Sequence, residues 1–251
     1  MEKKEYSYDI GIRPKKWEIP KNFKYYRTSI GFKTLRFIIM LIPVITYYFY
    51  LKIRYNIKFK NRKKALKIIK ENGAVLICNH ILPSDASSII ISFFPKVIYT
   101  PMLKSNMGFF IISKIFRLAG CIPIPDTLSE TKKFEYETKN ALNENNTILF
   151  MAEGSLELFC NHIRPFSKGP FKFAYDTNKT IIPICITTNE KKHGKSPCLC
   201  VNFLDEYKII KTSNKRLDIE KITCNVYEIM NDFFINNSNY KTTQNKNWLF
   251  Y

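Results

Sequence analysis

The sequence is short of acid. Against 40 Lys and Arg it carries only 21 Asp and Glu, a formal net charge of +19 at pH 7. Such a surplus suits nucleic acid, an anionic membrane surface or an acidic soluble ligand, and does not choose among them; a merely lysine-rich composition is a fourth reading. Disulfide and zinc spacings are also missing, because the seven cysteines form neither an even framework nor a CxxC pair. Unpaired thiols in this number point to a reducing, cytosol-facing compartment. The nearest approach to a metal cluster is Cys198 and Cys200 with His193. Without a companion CxxC these read as ordinary strand residues, and no metal is expected. The first thirty residues lack an apolar h-region and a small-residue cleavage site, so no signal peptide is expected. Internal repeats and low-complexity linkers are absent. So is any RRM, OB or helix-turn-helix pattern with aromatics among the basic residues, which argues against nucleic acid as the partner. What is present, 45% hydrophobic and 15% aromatic residues in 251, excludes a disordered or collagen-like chain and suffices for one α/β domain with an N-terminal appendage.

The appendage is apolar. Phe37 to Leu51 (FIIMLIPVITYYFYL) runs between Arg36 and Lys52. As a helix this stretch would extend about 22 Å, short of a ~30 Å hydrocarbon core, with Pro43 near its middle. A buried core helix fits the same residues. Tyr47, Tyr48, Tyr50 and Tyr55 favour the headgroup level of a bilayer. From Lys52 to Lys70 there are nine Lys or Arg and no acid, a run drawn to anionic lipid at ~1 kcal/mol per basic residue. The expectation is a re-entrant or interfacial anchor rather than a full span, on a membrane-associated protein whose active site faces the cytoplasm.

After the anchor, helical and strand-like segments alternate. Residues 59–71 read as a basic amphipathic helix stopped at Asn72-Gly73, 74–78 as a strand, and a helix capped by Ser84 or Asp85 follows to about Phe94. Strands are expected over 97–100, 121–124, 147–151, 180–187 and 199–204. Helices are expected over 104–119, 128–143, 168–176 and 217–235. The predicted fold is a single α/β domain with a mixed, largely parallel sheet flanked by helices, preceded by an N-terminal membrane-associated helical segment. Its boundaries are a polar segment at 1–34, an anchor at 35–58, the catalytic domain at 59–237 and a polar tail at 238–251. Trp248 to Tyr251 at the end of that tail are candidates to dock back or touch lipid.

Two segments carry chemistry. Asn79-His80-Ile-Leu-Pro-Ser-Asp85 follows a strand and opens a helix, so His80 and Asp85 can meet across the turn. The carboxylate would then fix the ring tautomer and leave the other nitrogen as a base for a hydroxyl supplied by the substrate. H-x4-D alone is weak, since a His that only caps or packs shows the same spacing. Downstream, Glu153-Gly154-Ser155 stands directly after the strand at 147–151, and Arg164-Pro-Phe-Ser-Lys168-Gly169 leads into a helix. Read in order, NH-x4-D, the block Gly120-Cys-Ile122-Pro-Ile124, Glu153-Gly154-Ser155 and the apolar strand around Pro183 resemble the glycerolipid acyltransferase family. Its best-known members are the 1-acylglycerol-3-phosphate acyltransferases. The resemblance covers about residues 60–190.

That resemblance implies that His80 deprotonates the acceptor hydroxyl, that Asp85 orients His80, and that the alkoxide attacks the thioester of acyl-CoA or acyl-carrier protein. It implies no cofactor, no covalent acyl-enzyme and no cysteine nucleophile. Asn79, Gly120, Glu153, Gly154 and Ser155 would belong to the substrate-binding blocks, with Glu153 and Gly154 on the acceptor side. Lys104, or backbone N–H groups near it, is a candidate for the oxyanion. The partners implied are a lysolipid acceptor, an acyl thioester donor and an anionic membrane surface. Asp126 and Leu156 depart from the family, for they stand where members acting on glycerol phosphates offer arginines. Guanidinium forks hold phosphate monoesters best, so the acceptor is expected to be a lysophospholipid other than lysophosphatidic acid. Arg117, Arg164 and Lys168 are the candidate substitutes if it is not, and synthesis of phosphatidic acid stays as the alternative. A hydrolase using the same pair on water, and a scaffold that keeps the fold without catalysis, are further alternatives.

Overall fold

A computed structural model of the chain describes residues 16–109, 112–191 and 197–240. Its centre is a seven-stranded sheet in the order β1-β7-β6-β2-β5-β3-β4. The strands are β1 (Lys58–Lys60), β2 (Val75–Cys78), β3 (Ile98–Met102), β4 (Cys121–Pro123), β5 (Thr147–Met151), β6 (Ile181–Asn189) and β7 (Cys198–Phe203). All neighbours are parallel except β6 and β7, so β1 and β7 run against the other five. The helices are α1 (Ile30–Tyr55), α2 (Arg62–Asn72), α3 (Asp85–Ser92), α4 (Ile112–Ala119), α5 (Leu128–Asn143), α6 (Gly169–Thr177) and α7 (Lys215–Asn237).

The central strands are apolar without alternation because both faces of the sheet are covered. Their period-2 geometry sends neighbours to opposite layers. Leu76, Cys78, Leu149, Ile182 and Ile184 pack with Leu51 of α1, Ala65 and Ile69 of α2, Ile89 of α3 and Phe93 just after it. Val75, Ile77, Ile148 and Phe150 pack with Phe134 of α5, Phe171 and Phe173 of α6, and Ile222, Val226 and Met230 of α7. Gly73 and Gly120 both have positive φ, and a Cβ on Gly120 would lie 2.3 Å from the Ile98 carbonyl oxygen. Glycine is therefore required where the turn into β4 passes the backbone of β3.

Several boundaries differ from the sequence expectation. The basic segment at 59–71 is not one helix: Lys58–Lys60 is a charged edge strand beside β7, and α2 starts only at Arg62. The helix expected over 104–119 is a 3-10 turn at Lys104–Gly108 followed by α4. The described part of the polar segment, from residue 16, packs on the domain, since Tyr25 is 1% exposed in the core beside Phe134. Polar side chains hold this strap: the Tyr25 N–H donates to Glu137 and the Tyr99 hydroxyl to the Arg27 carbonyl. The start of the C-terminal tail is also docked, with the N–H groups of Asn239 and Tyr240 donating to the Thr188 carbonyl. Trp248 to Tyr251 and His193 lie outside the described residues.

Helix α1 is 26 residues long, about 39 Å at 1.5 Å per residue. It is long and apolar enough to cross a membrane, with a mean hydropathy of 1.6 over its most apolar window. The short-helix expectation failed because the helix begins at Ile30, where the Ser29 side chain accepts from the Phe32 N–H. Arg36, Met40, Val44 and Leu51 form a buried stripe along one side, and Ile38, Ile42, Phe49 and Ile53 lie exposed. Arg36 is 1% exposed, and its guanidinium donates to the carbonyls of Leu118 (2.8 Å) and Pro95 (2.9 Å) and stacks over Phe94. An arginine on an apolar helix thus caps the end of α4. Arg36→Ala strips two carbonyls of their donors, each worth ~1–2 kcal/mol. Amide exchange over residues 30–42 is expected to rise roughly tenfold or more with the sheet still protected. Unchanged exchange there would show that docking does not depend on Arg36.

Candidate active site

His80 lies in the turn leaving the carboxyl end of β2, and Glu153 lies in the turn leaving β5, the next strand in the sheet. Loops at the carboxyl ends of parallel strands converge on one edge, where α/β sheets form their binding crevices. The two turns are knitted by backbone bonds, with Glu157 N–H donating to the His80 carbonyl and Phe159 N–H to that of Ile81.

Nδ1 of His80 lies 3.0 Å from Oδ2 of Asp85. That same oxygen accepts the N–H groups of Ile81 at 2.7 Å and Leu82 at 2.8 Å, so Asp85 folds the turn around itself as it begins α3. Its side chain is 1% exposed, against 22% for His80. Burial pushes the Asp85 carboxyl up from its ordinary value, while the imidazole and the two backbone N–H groups pull the other way. With Nδ1–H donated to the carboxylate, Nε2 is left with a lone pair. Among the described residues Nε2 has no hydrogen-bond partner.

The Glu153 side chain is fully buried, and its carboxylate accepts the His80 N–H at 3.2 Å through Oε2 and the Arg164 N–H at 3.1 Å through Oε1. The Arg164 side chain, 14% exposed, closes on it with Nε at 3.0 Å and Nη2 at 2.5 Å. The guanidinium also reaches the Ser155 hydroxyl, the Ser155 carbonyl and the His80 carbonyl. Burial pushes the Glu153 carboxyl up; the backbone N–H of Arg164 and then its charge oppose it.

Other residues assigned to the site from the sequence are engaged within the protein. Asn79 is fully buried, and its side chain spans Ile186 of β6, accepting its N–H at 2.8 Å and donating to its carbonyl at 3.0 Å. It extends the β2–β6 ladder by one side chain from a fully buried position. Gly120 sits at the amino end of β4, across the sheet from the edge that bears His80, where it serves close packing and not binding. Glu153 and Arg164 are bound to each other, so their first role is to hold the His80 turn. Lys104 is paired with Asp126 and, at 3.1 Å, with Glu18; its ammonium is engaged by carboxylates. Lys168 turns to Glu220 of α7 at 2.8 Å with both side chains about half exposed. Gly154 and Ser155 are exposed, and a Cβ on Gly154 would meet nothing within 4 Å, so this part of the turn is open to a ligand. Sequence reasoning missed Ile186 and Glu18 because a backbone partner on a distant strand, and one acid in a polar segment, leave no local pattern.

Residues 56–187, just over half of the chain, match the family model described as Acyltransferase. The chain belongs to the acyltransferase family. The matched span of this acyltransferase contains Asn79, His80, Asp85, Glu153 and Arg164, and it begins just after α1. No curated protein sequence matches the chain. Among solved structures it is similar to that of the 1-acyl-sn-glycerophosphate (LPA) acyltransferase PlsC from Thermotoga maritima, at 15% identity and a TM-score of 0.45, over 79% of this chain and 95% of that one.

Proposed function

We propose that this acyltransferase moves a fatty acyl group from the thioester of acyl-CoA or acyl-carrier protein to the free hydroxyl of a lysophospholipid at a membrane surface. The observation that carries the reading is the His80–Asp85 contact at 3.0 Å with the carboxylate buried and the ring partly open. Nε2 takes the proton of the acceptor hydroxyl, and the resulting oxygen nucleophile attacks the thioester carbonyl carbon. The tetrahedral intermediate expels the thiolate, which collects the proton from the imidazolium as the C–S bond breaks. Asp85 keeps the tautomer and stabilises the imidazolium between the two transfers. The cysteines are all free and buried or set in strands and helices, and the scheme asks nothing of them.

Membrane association is supported by the exposed apolar side of α1 beside the basic residues Lys52 to Lys70. Its buried stripe touches α3 and α4. The helix therefore lies against the domain, which favours insertion in the plane of one leaflet over an isolated span.

An acceptor other than lysophosphatidic acid is favoured by the engagement of the basic residues. Arg164 is committed to Glu153, and Lys104 to Asp126 and Glu18. Arg117 packs beside the amino end of β4, away from the edge that bears His80, and donates to the carbonyls of Lys24, Tyr25 and Cys121 there. The test is purified protein in detergent or liposomes with labelled acyl-CoA, lysophosphatidic acid and lysophosphatidylcholine at equal surface concentration, the product identified by mass. Acylation of the zwitterionic lysolipid at several-fold the rate of lysophosphatidic acid is expected. A clear preference for lysophosphatidic acid would reverse the acceptor assignment and make the product phosphatidic acid. Release of free fatty acid with no acylated lipid would make the protein a hydrolase.

A further inference from the structure

A cavity of about 360 Å³ lies at the β4 edge of the sheet, between the N-terminal strap, the first turns of α1, and α4. None of His80, Asp85, Glu153 or Arg164 lines it. Its walls include Trp17 and Phe23 of the strap and Leu35 and Ile39 of α1; its cationic side chains are Arg27, Lys114 and Arg117, and among the described residues no Asp or Glu lines it. The Arg117 guanidinium lies 4.4 Å from the Phe23 ring and donates only to backbone carbonyls; Arg27 rests beside Phe32. Among the described residues neither forms an ion pair. Burial and then the nearby charge of Arg27 push Arg117 down to about 10, with weaker opposition from Tyr99, Cys121 and Glu137. Leu35 and Ile39 are 52% and 44% exposed, so the cavity shares residues with the apolar side of α1.

We propose that this cavity binds an anionic phospholipid of the membrane, apart from the substrate site, with its phosphate between Arg27 and Arg117 and its chains along Leu35 and Ile39. The proposal rests on the membrane association argued above. A phosphate would give these two arginines an ion pair that neither forms among the described residues, and guanidinium is the side chain best shaped to receive it. An amphiphile is favoured over a soluble anion because the cationic end and the apolar walls belong to one cavity, and those walls continue onto α1. The cavity volume suits a headgroup and the start of its chains. Occupancy would tie the strap to α1 and set the domain on its lipid surface.

Trp17 reports on this cavity. The full chain with Trp248→Phe leaves Trp17 as the single tryptophan of the original two. It is titrated with chain-brominated dioctanoyl phosphatidic acid, with the brominated phosphatidylcholine analogue, and with inorganic phosphate. Saturable quenching by the anionic lipid at roughly tenfold lower concentration than by the zwitterionic one is expected. Arg27→Gln, a change at an exposed side chain, should raise the required concentration about tenfold, and Arg27→Lys by less. Equal quenching by both lipids, unchanged by Arg27→Gln, would overturn the site as a mere partition of lipid onto α1. Equal protection by inorganic phosphate would overturn the lipid assignment in favour of a free anion. Sedimentation with mixed phosphatidylcholine and phosphatidylglycerol vesicles separates the two ideas. Failure of both wild type and Arg27→Gln to bind vesicles would refute the membrane reading, whereas vesicle binding without selective quenching would refute only the cavity.

Discussion

His80→Ala is expected to abolish acyl transfer, and Asp85→Asn to lower the rate by ~100-fold or more, with both proteins folded. The Asp85 geometry makes the second substitution informative. All three hydrogen bonds, from the imidazole and from the N–H groups of Ile81 and Leu82, fall on one oxygen, Oδ2. An asparagine carbonyl can take that place and keep the three donors, so the turn is preserved and what is lost is the negative charge that holds the imidazolium. The rate should therefore fall through kcat with little change in KM. Initial rates from a labelled acyl thioester, with thermal unfolding as the control, make the comparison. Near wild-type turnover by either variant would remove the pair from the mechanism, and a folded His80→Ala protein of full activity would require a different base.

Glu153→Ala should cause the largest loss of stability in the site. The substitution leaves the Arg164 guanidinium, 14% exposed, without its carboxylate, and leaves the backbone N–H of His80 without an acceptor. Breaking a buried pair from one side costs ~3–5 kcal/mol. For a domain of this size that lowers Tm by ~6–20 °C. Because the lost contact holds the His80 turn, turnover should fall in the protein that remains folded below Tm. Removing Arg164 as well eliminates the stranded charge, so the Glu153→Ala, Arg164→Ala double variant should be less destabilised than the sum of the single variants. A Tm within about 2 °C of wild type for Glu153→Ala, with activity intact, would show that the pair does not organise the site. Strict additivity would show that the two side chains are not coupled.

The local code of this chain decided much of its architecture. Leu128–Asn143 and Thr147–Met151 are the helix and strand expected from the sequence, residue for residue. The first is announced by the capping box of Thr127 and Glu130, and the second by a continuous apolar run between polar turns. The meeting of His80 and Asp85 was legible too, since five residues across a strand-to-helix turn leave them little room to part. These features rest on neighbours within one or two turns of chain, and that is the range over which propensity, capping and periodicity act.

Longer range interactions were decided only by the tertiary structure. Lys58–Lys60 is a strand because β7, more than a hundred residues later, offers a free edge, and an isolated KFK carries no strand signal of its own. Tyr25 is core because α5 presents Phe134 to it, although the surrounding sequence is polar. Arg36 is inside because two distant carbonyls need a donor, a demand that no window around residue 36 contains. Glu153 and Arg164 lie within one short stretch of sequence and looked like ligands for a substrate. The fold set the turn of His80 against them and made them its support. Sequence alone determined which groups can exchange a proton and which segments are apolar enough to build a sheet. The packing decided which polar groups are spent inside the protein and which stay open, because that depends on partners that only the fold brings within hydrogen-bond distance.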